Sequence, residues 1–279
     1  MIEIVGNYVP RSQPKAVIFD FDGTLSLIRS GWMDVMVPLC VEQLRGTGSS
    51  ESDGELTRVV EEFVWRLTGK ETIYQMMALA DAIKERGGIS LEPLAYKRMY
   101  LDRLHARIRS RLDALRSRSV APDEYLVPGA RRTLELLKSR GLRLYLASGT
   151  DDANVKEEAA LLDIDRYFGE NIFGAKDDLS SFSKALLVKK IVSQAGFRAS
   201  ELLVFGDGYV EIEEVKRVGG TAVGMATAEP ECLEIDSWKR ERLIRVGADF
   251  VMPNFLDWNE LSETLFEGKL AETLAIRQN

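Results

Sequence analysis

Short apolar runs recur along this chain, separated by stretches whose apolar residues return every three or four positions. The first run, Lys15-Ala16-Val17-Ile18-Phe19-Asp20, is rich in branched and aromatic residues and predicts a buried strand. Similar runs stand at 142–147, 201–205, 221–225 and 249–252, with a weaker one at 171–174. Between them the spacing predicts helices over about 129–140, 153–162, 184–195 and 209–218. Strand alternating with helix predicts an α/β fold, its parallel sheet covered on both faces.

The stretch 28–121 follows another pattern. It carries no strand-like run and predicts helices near 31–45, 55–68, 70–86 and 91–118, separated by glycine-bearing loops. The α/β pattern resumes around Pro122 and Pro128-Gly129. The chain therefore divides into an α/β core, 1–27 and 122–279, and an inserted helical domain, 28–121. Residues 1–14 predict a short extra strand or an arm, and 261–279 a terminal helix with a frayed tail.

Composition narrows the chemistry. The net charge of −7 gives the whole chain no pull toward nucleic acid or anionic membrane. The start of the chain lacks a signal-peptide pattern, and no run approaches the roughly 20 apolar residues of a membrane span. A soluble cytoplasmic protein is expected. Cys40 and Cys232 are too few for a disulfide framework or a zinc site. His105 is the single histidine, so histidine triads and histidine metal sites lack material. Carboxylates, hydroxyls and lysines must carry any catalysis. The arginine-rich stretch 97–118 reads first as a solvated face, with Leu101, Leu104, Ile108, Leu112 and Leu115 turned inward. A surface that attracts an anionic substrate is the functional alternative.

In open parallel sheets, ligands bind beyond the carboxyl ends of the strands. The first strand is followed by Asp20-Phe21-Asp22-Gly23-Thr24, and the run at 142–147 by Ser148-Gly149-Thr150. The run at 201–205 is followed by Gly206-Asp207-Gly208-Tyr209-Val210-Glu211, and Lys184 opens the helix predicted at 184–195. Asp20, Asp22 and Asp207 also suit plain turns beside glycine. Their order at one sheet edge, with a serine and a lysine, favours chemistry.

This set resembles the haloacid dehalogenase superfamily. Asp20-Phe21-Asp22-Gly23-Thr24 matches its first motif, Ser148 its second, Lys184 its third, and Asp207 with Glu211 its fourth. Lys176 is the rival for the third motif, and glutamate at 211 departs from the aspartate usual there. The resemblance implies a Rossmann-like core with a helical cap at 28–121. It also implies a phosphatase or phosphomutase, since the second aspartate goes with those branches and argues against carbon–halogen chemistry. Two carboxylates two residues apart lie on one side of extended backbone. One can attack phosphorus to give an aspartyl phosphate, and the other can serve as acid and then base. By the resemblance Asp20 is the nucleophile and Asp22 the acid and base.

Repulsion between carboxylate and phosphate demands a divalent cation and a lysine. The expected magnesium ligands are Asp20, Asp207, Glu211 and, through its backbone carbonyl, Asp22. Lys184 would neutralise Asp20 and the transferred group, while Ser148 and the backbone at Gly149 would hold phosphoryl oxygens. Arg29 and Trp32 lie where the family has a mobile gate. The expected reaction is magnesium-dependent hydrolysis of a small phosphorylated metabolite, such as a sugar phosphate or a phosphoglycolate-like acid. Phosphomutase, nucleotide phosphatase and a non-catalytic binding module are the alternatives.

Overall fold

The computed structural model describes residues 2–6, 8–9, 12–176, 183–194 and 196–267. Its strands are β1 (Glu3–Ile4), β2 (Ala16–Phe19), β3 (Arg143–Asp151), β4 (Ile172–Ala175), β5 (Leu202–Gly206), β6 (Thr221–Met225) and β7 (Phe250–Met252). They form one sheet in the order β1-β7-β6-β5-β2-β3-β4, parallel except for β1. Four helices follow β2 within residues 28–121: α1 (Met33–Arg45), α2 (Asp53–Leu67), α3 (Thr72–Glu85) and α4 (Pro93–Arg116). The remaining helices are α5 (Ala130–Ser139), α6 (Asp152–Leu161), α7 (Asp165–Phe168), α8 (Lys184–Gln194), α9 (Tyr209–Val218), α10 (Ser237–Arg245) and α11 (Trp258–Ser262).

Alternation along the strands explains the two layers. Val17 and Phe19 of β2, Leu144 and Leu146 of β3, and Leu203 and Phe205 of β5 join one apolar cluster. Ala16, Ile18, Tyr145, Leu202 and Val204 join the other, against Leu187 and Ile191 of α8, Ile212 and Val215 of α9, and Leu243 of α10. Every residue of β2, β5, β6 and β7 is buried, as a parallel sheet covered on both faces requires. The first cluster continues without a break into α1–α4 through residues such as Met36, Leu56, Leu79 and Leu104. Local signals set the helix starts: Ser52 and Glu55 form a capping box on α2, and Pro93 opens α4.

Two expectations shift. Strand β3 does not end at 147 but runs on to Asp151, with an irregularity between Ala147 and Asp151. Ser148 and Gly149 therefore stand inside the last part of a strand. The chain's beginning supplies a two-residue edge strand, Glu3–Ile4, paired antiparallel with β7. Of the expected terminal helix, Trp258–Ser262 is α-helical and Glu263–Glu267 forms a π turn, while 268–279 lie outside the described residues. Among the described residues, no helix is long and apolar enough to cross a membrane.

Register places the site. β2 lies between β3 and β5, with Phe19 level with Leu146 and Phe205. The residues after these three positions emerge at one sheet edge, which brings together Asp20, Asp22, Ser148 and Asp207.

Candidate active site

Asp20 follows β2 directly and is almost fully buried. Lys184, the first residue of α8, places its Nζ 2.8 Å from Asp20 Oδ1 and 2.9 Å from Glu211 Oε2. Lys184 is therefore the lysine that reaches Asp20. Lys176, just past β4, is exposed. Burial pushes the Asp20 carboxyl well above the usual carboxylate range, with Lys184 opposing the shift only in part. Burial also penalises the Lys184 ammonium, but the charges of Asp20 and Glu211 outweigh it and hold the lysine above its ordinary value.

Asp22 lies on the same side of the chain. Thr150 Oγ1 donates to its Oδ2 at 2.8 Å, and Arg29 Nε lies 3.9 Å from its Oδ1. That Oδ1 is sealed from solvent and has no hydrogen-bond partner among the described residues. Burial raises the Asp22 carboxyl to about 6, against the pull of Arg29. Arg29 is itself held by Glu158 of α6, with Nη2 2.6 Å and Nε 3.1 Å from Oε1. Ser148 Oγ accepts from Thr150 N at 3.0 Å and donates, at 3.5 Å, to Asp22 Oδ2.

Asp207 follows β5. Its Oδ2 lies 3.0 Å from Lys239 Nζ of α10, which also meets Glu229 Oε1 at 3.1 Å. Gly23, at φ +71°, keeps this carboxylate in place: a Cβ there would stand 2.4 Å from Asp207 Oδ2. Glu211 is buried in the first turn of α9. Its Oε1 accepts from Gly208 N at 2.9 Å while Oε2 meets Lys184. The extra methylene thus lets Glu211 reach the site from a helix start. Asp20, Asp207 and Glu211 each offer an oxygen within 4.8 Å of the others. Three hard oxygen donors in one buried group fit a divalent cation such as magnesium.

These residues floor a cavity of about 100 Å³ that is partly open to solvent. Arg29 and Trp32 line it, as do Thr68, Gly69, Lys70, Gln75 and Tyr100 from the helical segment. The α2–α3 loop closes tightly on the core. A Cβ at Gly69, φ +94°, would stand 2.9 Å from Gly208 Cα, and one at Gly149 would stand 3.0 Å from Lys70 O. Trp65 of α2 packs on Trp238 of α10, ring centroids 4.0 Å apart, and Arg242 Nη2 donates to Thr68 O at 2.8 Å. The α4 arginines are largely paired: Arg103 with Glu42, Arg107 with Asp34, Arg116 with Glu157, and Arg111 with the carbonyls of Ile28 and Ser30. Most of that charge is spent within the fold. His105 lies beside α6, in a separate groove with Arg109 and Glu157.

Sequence reading missed Thr150, Glu158, Lys239, Gln75 and Tyr100. Thr150 had a signal, since it stands two residues after Ser148 in extended chain. Glu158 had one too, as an acid on the apolar side of a helix with Val155, Ala159 and Leu162. Lys239 had none, because α10 is polar almost throughout. Gln75 sits on the buried side of α3 beside Met76 and Leu79, and only packing shows that this side meets the cavity.

Comparison with known proteins agrees with this geometry. Residues 14–219 match the model of the haloacid dehalogenase-like hydrolase family. A phosphoglycolate phosphatase of Mannheimia succiniciproducens is 25% identical over 214 residues, which cover 77% of this chain and 86% of that one. A solved Haemophilus somnus structure, itself named a phosphoglycolate phosphatase by prediction, superposes with a TM-score of 0.59 at 17% identity. The match covers 90% of this chain and 99% of that one. A Thermotoga maritima structure provisionally named a β-phosphoglucomutase gives 0.52 at 21% identity, over 90% and 100% of the two chains. Both likenesses are of fold. Matched over most of its length, and carrying an aspartate pair, a serine, a lysine and a further acid at one sheet edge, the chain belongs to the haloacid dehalogenase-like hydrolases.

Proposed function

We propose that this hydrolase is a magnesium-dependent phosphatase that cleaves a small phosphomonoester through an aspartyl phosphate on Asp20. The observation that carries the reading is the Asp20 carboxylate with Lys184 Nζ at 2.8 Å, beside Asp22 and beneath the cavity. Asp20 attacks phosphorus as the bond to the leaving oxygen breaks, and Asp22 gives that oxygen a proton. Asp22 then takes a proton from water, the water oxygen attacks phosphorus, and the bond to Asp20 breaks to release phosphate. Lys184 offsets negative charge on Asp20 and on the transferred group, while Ser148 Oγ and the Gly149 N–H hold its oxygens. Asp20, Asp207, the Asp22 backbone carbonyl and Glu211 would hold magnesium, which would supply the positive charge that lets a carboxylate approach a phosphate dianion.

In this reading 28–121 is a cap whose 68–71 loop excludes water and limits substrate size. The name of the 25%-identical relative makes phosphoglycolate-like acids natural first substrates, beside sugar phosphates. The test is phosphate release from such esters with and without magnesium, alongside Asp20→Asn. Turnover that needs the metal and is lost in the variant is expected. Turnover that persists in chelator, or in purified Asp20→Asn, would contradict the mechanism. Activity that depends on a bisphosphorylated sugar would point to a mutase.

A further inference from the structure

The cavity has two kinds of wall. On the core side, the charged groups engage one another: Lys184 with Asp20 and Glu211, Arg29 with Glu158, and Asp22 with Thr150. On the helical side stand Gln75 of α3 and Tyr100 of α4, each only 4% exposed. Neither side chain has a hydrogen-bond partner among the described residues, and neither has a polar atom sealed away from the cavity. Two neutral side chains with polar atoms open to the cavity and no hydrogen-bond partner in the protein can turn those atoms to a bound molecule. A bound molecule would satisfy both. The charges of Arg29 and Asp22 act on the Tyr100 hydroxyl, so it lies near the reacting end of the cavity.

The chemistry of the two groups limits what they bind. A carboxamide and a phenol each donate and accept, and both are neutral. Their complement is a group that also donates and accepts. A carboxylate only accepts, so it would use the donors of the two groups and leave their acceptors idle. Arg29 and Lys184 are already held by carboxylates, and Lys70 at the cavity wall lies over the Tyr74 ring, 5.4 Å from its centroid. A cavity of about 100 Å³ has room for a phosphoryl group and a short chain. Building on the phosphatase reading, we propose that Gln75 and Tyr100 determine specificity by reading the uncharged hydroxyls of a short phosphorylated polyol.

The test compares kcat/KM for glycerol phosphate, phosphoglycolate and ethyl phosphate in the full chain, in Gln75→Leu and in Tyr100→Phe. The unaltered protein should favour glycerol phosphate over both others. Each variant should lower the ratio of glycerol phosphate to ethyl phosphate about tenfold, the worth of one neutral hydrogen bond, mainly through KM. Gln75→Glu keeps the shape but removes the donors, and should lower the same ratio if leucine at 75 prevents folding. A ratio that stays constant in folded variants would overturn the proposal. So would a preference for phosphoglycolate that Lys70→Met removes. Failure of the unaltered protein to cleave any of the three with magnesium would instead sink the phosphatase reading beneath it.

Discussion

At the sheet edge, nearly every buried charge meets its opposite within 3 Å or so: Lys184 with Asp20, Arg29 with Glu158, Lys239 with Asp207. Across the same cavity, the helical segment presents a carboxamide and a phenol with no hydrogen-bond partner among the described residues. The first wall is fixed before any ligand arrives, as charge stabilisation at a reacting phosphorus demands. The second gains its partners only when a substrate enters. In the proposed reading, reaction and selection fall to different parts of the chain, joined where the 68–71 loop touches Gly149 and Gly208.

Substitutions on each wall should therefore fail in different ways. Asp22→Asn should lower kcat by about 10²–10⁴, the usual worth of general acid–base catalysis. Steady-state rates on an alkyl phosphate measure this. The loss should shrink with p-nitrophenyl phosphate, whose leaving oxygen hardly needs a proton. Lys184→Met should strike stability as well as rate. It leaves Asp20 and Glu211 buried without a counter-charge, a cost of about 3–5 kcal/mol. A denaturant titration of the metal-free protein would read it. A melting midpoint equal to that of the parent would mean these carboxylates do not depend on the lysine.

Gly69→Ala probes the seam between the walls. At φ +94° with Gly208 Cα in the way, an alanine strains the loop by about 1–3 kcal/mol. KM should rise about tenfold, with a smaller change in kcat. A larger fall in kcat than in affinity would show that the loop orders the reacting groups themselves. The smallest effect belongs to the thiols. Burial pushes Cys40 and Cys232 up to about 12. At pH 8 only about one in 10⁴ is thiolate, so a thiol reagent should modify neither until the chain unfolds. Rapid labelling of native protein would show that α1 or the loop holding Cys232 opens readily.

The same division explains what the sequence alone could tell. Asp20, Asp22, Ser148, Lys184 and Asp207 were legible because each follows, ends or opens an element whose pattern is strong, and parallel strands align their ends. Glu211 was legible as a position but not in its reach. Its contact with Lys184 depends on where α9 starts relative to α8. The helices of 28–121 were visible from their periodicity, while the side of α3 or α4 that meets the cavity is settled by packing between distant segments. Lys239 gave no sign in a helix of mostly polar residues, yet it meets Asp207. Short-range pattern thus reveals strand ends well and helix orientation poorly.

The most direct test of the central claim is to trap the intermediate. Brief exposure of turning-over enzyme to borohydride reduces an aspartyl phosphate to homoserine, which peptide mapping can locate. Homoserine at position 20, dependent on substrate and absent from Asp20→Asn, is the predicted result. Homoserine at another aspartate, or steady phosphate release in an Asp20→Asn protein, would contradict it.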